Sequence, residues 1–355
     1  MNALRRISTW VVLLGVLLVC SGLLLASRRT LSELSIRTPI AVPTQISQLA
    51  PVLSSTPLLL RATPSPVPKV LHATPPPSPS AILIPSPAAL HLREFDGQRA
   101  YAHVLAQEAL GPRPTGSQAG WATGDYIIQQ LKDLDWTVET QEFVHRGVRG
   151  RNVVGKAGKG PVVLIGAHYD TRPVADRDPN PENQGQPILG ANDGGSGVAV
   201  LLELARVLDR DSLDRQVWLA FFDAEDRGRL DGWPYSVGAR EMAKNLVVRP
   251  QAVVVVDMVG DVDQKIPYEG YSDPDLAAEI WAVAAELGYD ENIISEPGRK
   301  IIDDHLPFVE LGIPAVDIID FDYPFWHTLQ DTADKVSPTS LERVGRTLEA
   351  WLEAE

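Results

Sequence analysis

The sequence predicts an α/β domain, a single three-layer unit with a mostly parallel central sheet covered by helices on both faces. Three observations lead there. Short continuous apolar runs, among them Val162–Ala167, Val217–Phe222, Val253–Val256 and Ile313–Ile319, have the length expected of strands buried on both faces. Stretches with helical apolar spacing stand between them. Polar side chains follow the runs at the C-terminal edge, where open α/β sheets bind ligands.

The chain has 355 residues and divides by composition. Residues 1–29 read as an N-terminal membrane anchor. Trp10–Ala26 is an uncharged apolar core flanked by Arg5, Arg6, Arg28 and Arg29, near the lower length limit of a spanning helix. A cleaved signal peptide, which would release a secreted form, is the alternative, although no A-x-A-like site follows the core. Residues 30–92 carry prolines at 64, 66, 68, 75, 76, 77, 79, 85 and 87. Proline fixes φ and removes donors, so this segment reads as an extended linker without a core. With this anchor, the remaining domain is expected outside the cytoplasm. That domain, residues 93–355, is long enough to bury one large core. It holds 25 of the 32 basic and 45 of the 46 acidic residues, a net charge of about −20. Nucleic-acid affinity rests on phosphate neutralisation, so such a domain is a poor nucleic-acid binder. Cys20 is the only cysteine, which excludes an internal disulfide and a cysteine nucleophile in the domain.

Within the domain, Phe95–Leu110 and Ser117–Leu134 read as helices, the first ended by Pro112 and the second capped by Ser117. Trp136–Val144 and Arg151–Lys156 alternate as a strand pair at one sheet edge. Val162–Ala167 is a buried strand, and Thr171–Pro187 is a polar loop long enough to form a lip over a site. The glycines of the stretch ILGANDGGSGV (188–198) allow a sharp turn that leaves Asp193 projecting into open space. The helix 194–208 then leads to strand 215–223. A helix begins near Val237, and strand 252–256 follows. Ser272-Asp273-Pro274 starts a helix that stops at Gly288, and residues 313–319 form a strand. Ser337-Pro338 starts the last helix.

The chemistry-bearing residues gather at the sheet edge. His168 ends one apolar run, Glu225 and Asp226 follow another, Asp257 a third, and His327 lies beyond a fourth. Taken singly, an Asp after a strand is usually a helix cap and a lone His a satisfied hydrogen-bonding group. As a set of imidazoles and carboxylates they read as a zinc site built without thiolates. Asp193 is the natural central ligand, with Asp226 and His327 completing one site. His168 and Asp257 could build a second that shares Asp193. Glu225, beside a ligand, is the candidate general base. No G-x-S-x-G elbow, H-E-x-x-H, Walker loop or Rossmann fingerprint competes.

The segments GPRPTGS, AHYDT, GANDGGSG, FFDAED, VVDMVG, DDHLPF and FWHT resemble, in this order, the zinc exopeptidase family that includes bacterial leucyl aminopeptidases and animal-type glutaminyl cyclases. The resemblance covers residues 100–350. Its aminopeptidase branch implies two zincs on His168, Asp193, Asp226, Asp257 and His327, with Glu225 as base. Its cyclase branch implies an aminoacyltransferase with one zinc on Asp193, Asp226 and His327. There Glu225 shuttles a proton, and Asp257 and Asp303 complete a hydrogen-bonded acid network. DDHLPF, the Trp326-His327 pair and the Trp233 loop resemble the cyclases, with Trp233 and Trp326 expected to wall the substrate pocket. GANDGGSG resembles the aminopeptidases. The family usually has Glu at position 226, and Asp is one methylene shorter, roughly 1.5 Å less reach. Either branch acts on peptide or protein N-termini. A non-catalytic binding ectodomain is a third reading, though all of these positions carry competent residues.

Overall fold

The computed structural model describes residues 94–354. The anchor and linker expected over 1–92 lie outside the described residues. Among those described, no helix is long and apolar enough to cross a membrane.

The chain enters through two capped helices. Asp96 accepts from the backbone N–H groups of Gln98 and Arg99 at 2.8 and 3.3 Å, opening α1 (Gly97–Leu110). Ser117 accepts from Gly120 N at 2.9 Å and opens α2 (Gln118–Asp133). β1 (Thr137–His145) and β2 (Val148–Gly158) form an antiparallel hairpin. Then come β3 (Val162–His168), α3 (Gly195–Val207), β4 (Gln216–Phe222), α4 (Val237–Lys244) and β5 (Ala252–Asp257). The remainder comprises β6 (Ile266–Tyr268), α5 (Pro274–Glu286), β7 (Ile293–Pro297), the single turn α6 (Leu306–Val309), β8 (Ala315–Ile319) and α7 (Pro338–Glu353). Asp273 and Ser337 cap α5 and α7, each with proline in the first turn. Proline is tolerated there because that N–H has no intrahelical partner.

The main sheet runs β1-β2-β4-β3-β5-β8. β2 pairs antiparallel with β4, while β4/β3, β3/β5 and β5/β8 are parallel. Successive strand residues point to opposite faces. Val163, Ile165 and Ala167 accordingly join the core under α1, α3, α5 and α7, and Val162 and Leu164 join the one under α4 and α6. This is the predicted three-layer arrangement. Two details differ from the sequence-based expectation. β6 and β7 form a separate parallel pair, too short to show a strand period. Ala157 and Gly158 extend β2 beyond the expected Lys156. The glycine turn over 188–194 leads straight into α3. Asp193 is delivered by the turn at the N-terminus of α3, as the sequence pattern expects.

Candidate metal centre

Asp193, Glu225, Asp257 and His327 each sit at or beside a left-handed backbone turn. Gly194 follows Asp193 with φ +81°, and a Cβ there would lie 2.8 Å from His168 Cε1. A Cβ on Gly197 would meet Val256 O at 2.1 Å, so glycine is what lets α3 seat directly on β5. Ala224 (φ 66°) precedes Glu225, Met258 (φ 47°) follows Asp257, and His327 itself has φ 58°. Non-glycine residues rarely adopt this region, and where they do it often marks a site held by its surroundings. Those surroundings are visible. Asp170 accepts from the backbone N–H groups of Glu225 (2.9 Å) and Asp226 (3.2 Å) and from Thr115 Oγ1 (3.1 Å), tying the end of β3 to the turn after β4. Asp331 accepts from Asn192 N at 2.8 Å and Asp193 N at 3.1 Å. The fully buried Arg113 donates to the carbonyls of Tyr169, Leu189 and Gly190.

The result is two buried clusters that share Asp193. In the first, His168 Nε2 lies 3.1 Å from Asp257 Oδ1 and 3.2 Å from Asp193 Oδ1. In the second, His327 Nε2 lies 3.0 Å from Asp226 Oδ1 and 3.7 Å from Asp193 Oδ2. A tetrahedral zinc with bonds of about 2.0–2.2 Å holds its donors roughly 3.3 Å apart, so both sets fit the ion. Asp226, the shorter residue at that position, reaches His327 unaided. Contrary to the expectation of open space, Asp193 is only 2% exposed, enclosed between the two imidazoles. Its Oδ2, and Oδ2 of Asp226, are buried without a hydrogen-bond partner. Orphaned anionic oxygens are costly in a buried site, and a cation between them removes the cost.

The loop read from sequence as a lip is largely a brace. Arg172, 2% exposed, donates to the carbonyls of Asp226 (3.2 Å) and Gly228 (3.0 Å) and pairs with Asp176 at 2.7 Å. Asp176 Oδ1 lies 3.2 Å from His327 Nδ1, and Arg177 N donates to His327 O at 3.2 Å. Burial opposes charge on both partners. Nevertheless, the nearby His327 imidazole and hydrogen bonds from Arg172 hold the Asp176 carboxyl well below the usual range. Asp226 and Asp176 raise His327 to about 9. Sequence reasoning missed Arg172 and Asp176. Their signal, an Arg and an Asp four apart in a loop, looks like any solvated pair.

Glu225 is 7% exposed and its carboxyl is pushed well up, by burial first and then by the charges of Asp303 and Asp226, with His168 opposing. Burial and the neighbouring Asp257 and Asp304 do the same to Asp303. Glu225, Asp257 and Asp303 all line one cavity of about 390 Å³, together with Asp193, Asp226 and His327. His168 lies behind that lining, reaching the site through Asp193 and Asp257. Trp326 walls the cavity beside His327, ring centroids 3.9 Å apart. Trp233 does not line it. Its ring is buried with Phe143, Val148, Ala224 and Val237, because the β1–β2 hairpin folds over this loop. Tyr235 takes the wall position instead.

A family model described as Peptidase family M28 matches residues 152–352. An aminopeptidase of Bacillus subtilis is 28% identical over 238 residues, 62% of this chain, which spans only 47% of that protein. A glutaminyl-peptide cyclotransferase of Bos taurus is 25% identical over 291 residues, covering 68% of this chain and 77% of its own length. Among solved structures, a Bacteroides thetaiotaomicron glutaminyl cyclase bound to N-acetylhistamine superposes with TM-score 0.69 at 32% identity, covering 74% of this chain and 99% of that one. A Zn-dependent exopeptidase of Parabacteroides distasonis gives TM-score 0.70 at 31% identity, covering 74% and 100%.

Proposed function

The chain belongs to peptidase family M28, and on that premise we propose that it is a glutaminyl-peptide cyclotransferase, converting N-terminal glutamine to pyroglutamate with release of ammonia. One observation carries the choice. The partnerless buried carboxylate oxygens of the paired clusters are both in the Asp193–Asp226–His327 set, whereas His168 Nε2 is within 3.2 Å of a carboxylate oxygen on each side. That pattern supports one resident metal, held by Asp193, Asp226 and His327, as in the cyclase reading.

When bound there, zinc supplies a Lewis acid toward the substrate carboxamide oxygen. The remaining work falls to the chain. Glu225 accepts the proton of the α-amine as its nitrogen bonds to the side-chain carbonyl carbon. It then returns that proton to the departing nitrogen as the carboxamide C–N bond breaks. A group that must take and give one proton works best with a pKa near neutrality, and the burial of Glu225 among carboxylates moves it in that direction. Asp303 and Asp257 hold the acid network beside it. Trp326, Ile301 and Phe321 give the compact uncharged side chain an apolar wall.

The alternative is a di-zinc aminopeptidase, favoured by the ligand-like spacing of His168, Asp193 and Asp257. Substrates separate the two. A glutaminyl peptide is expected to yield ammonia with its chain intact and a leucyl anilide to stay uncut. Free leucine without ammonia overturns the cyclase assignment. In this proposal the activity resides in residues 93–355, and residues 1–92 serve as anchor and spacer.

A further inference from the structure

Resting on that reading and deepening it, we propose that the cavity selects substrates with a carboxylate just beyond the N-terminal residue. The carboxylate is an acidic second or third side chain or the free C-terminus of a very short peptide. The domain is strongly acidic, at about −20, yet exposed cations line the mouth of this cavity. The one exposed carboxylate of the lining, Asp176, is already engaged by Arg172 and His327. The deep lining is anionic, with Asp193, Glu225, Asp226 and Asp257 all under 9% exposed. The outer lining carries Arg177, Arg229 and Lys300, all exposed. Arg299 also lines the cavity but is paired with Asp322 at 2.9 Å.

Arg177, Arg229 and Lys300 have no carboxylate partner among the described residues. Each is instead held over an aromatic ring, at 5.2 Å over Trp326, 6.0 Å over Tyr235 and 4.8 Å over Tyr271 respectively. A ring face positions a cation without neutralising it and leaves its N–H donors free for an incoming oxygen. The cavity thus has a charge gradient, negative within and positive at the rim. A peptide entering amine first, with a carboxylate one or two residues behind, matches it at both ends. Any one exposed pair contributes little, but three cations around one opening act together and also raise the local concentration of anionic substrate.

The test compares kcat/KM for Gln-Asp-Ala-amide and Gln-Ala-Ala-amide, for the free acid and amide of Gln-Ala, and for Leu-Asp-Ala-amide and Leu-Ala-Ala-amide. The Asp peptide is expected to be favoured by about three- to tenfold at low salt, mainly through KM. The advantage should fall below about twofold near 0.5 M NaCl, where the Debye length is ~4 Å, and also in the R229Q/K300Q double variant. A higher rate for the free acid of Gln-Ala than for its amide identifies the terminal carboxylate as a source. Equal rates within both glutaminyl pairs, Asp against Ala and free acid against amide, overturn the rim proposal and leave the cyclase reading standing. Leucine release without ammonia overturns the cyclase reading, and the leucyl pair then decides the rim by the same ratio. If neither series is turned over, the Kd values of the Asp and Ala peptides decide it, equal values overturning the proposal.

Discussion

The two clusters around Asp193 use nearly the same donors at nearly the same distances, and they differ in what stands behind each histidine. His168 Nδ1 faces the backbone carbonyl of Asp170 at 3.1 Å, with the carboxylate of the same residue at 3.7 Å but already engaged by the backbone N–H groups of Glu225 and Asp226. His327 Nδ1 faces the Asp176 carboxylate, itself clamped by Arg172. An anion behind an imidazole raises its basicity and so strengthens it as a ligand. The orphaned oxygens lie on the same side of the comparison, in the Asp226 cluster. A metal site is thus specified as much by what backs the ligands as by the ligands themselves.

The largest test of this asymmetry is ligand removal. His327→Ala is expected to cost at least about 10³-fold in turnover and nearly all bound zinc, while His168→Ala retains about one equivalent by elemental analysis. Two equivalents in the wild type, both sensitive to His168→Ala, would erase the distinction. Glu225→Gln comes next, with a loss of roughly 10²–10⁴-fold and unchanged zinc content. Loss of metal in this variant would make Glu225 a ligand. Asp176→Asn removes the anionic backing and is expected to weaken zinc affinity roughly 10–100-fold in chelator competition. An unchanged affinity would make the brace purely structural.

The smallest effect comes from a buried carboxylate distant from both clusters. Glu349 accepts from Phe95 N at 3.2 Å, and burial raises its pKa to about 7 despite that bond and Arg346. The folded state then holds its proton more tightly than the unfolded chain between about pH 4.5 and 7, so stability falls as pH rises through that window. Glu349→Gln should melt about 1–3 °C higher than wild type at pH 8 and equally at pH 5. A gain at both pH values would remove titration as the cause.

Most elements were legible because they carry local signals. Ser117, Asp273 and Ser337 cap helices where polar residues precede apolar periodicity, and the buried strands are continuous apolar runs. The site was legible as a set, since ligand-type residues fall just past those runs. What was not legible depends on packing between distant segments. Trp233 reads as a pocket wall until the hairpin residues Phe143 and Val148 cover it. Asp176 and Arg172 read as surface charges until the 171–187 loop folds against His327. Asp193 reads as lying in open space, and only the tertiary fold closes both imidazoles over it.

The left-handed turns at Ala224, Met258 and His327 have a consequence for where this fold is softest. Each costs on the order of 1–2 kcal/mol relative to an unstrained residue, and all three lie along one rim of an otherwise regular sheet. Hydrogen bonds around the site, from Asp170 to the 225 and 226 amides and from Arg177 N to His327 O, hold these segments in that conformation, and a metal bound between their side chains would reinforce them. Chelation therefore acts unevenly. The amides around 224–228, 258–260 and 325–329 should begin to exchange with solvent while the strands beneath stay protected, so the edge that does the chemistry is also the first part of the structure to breathe.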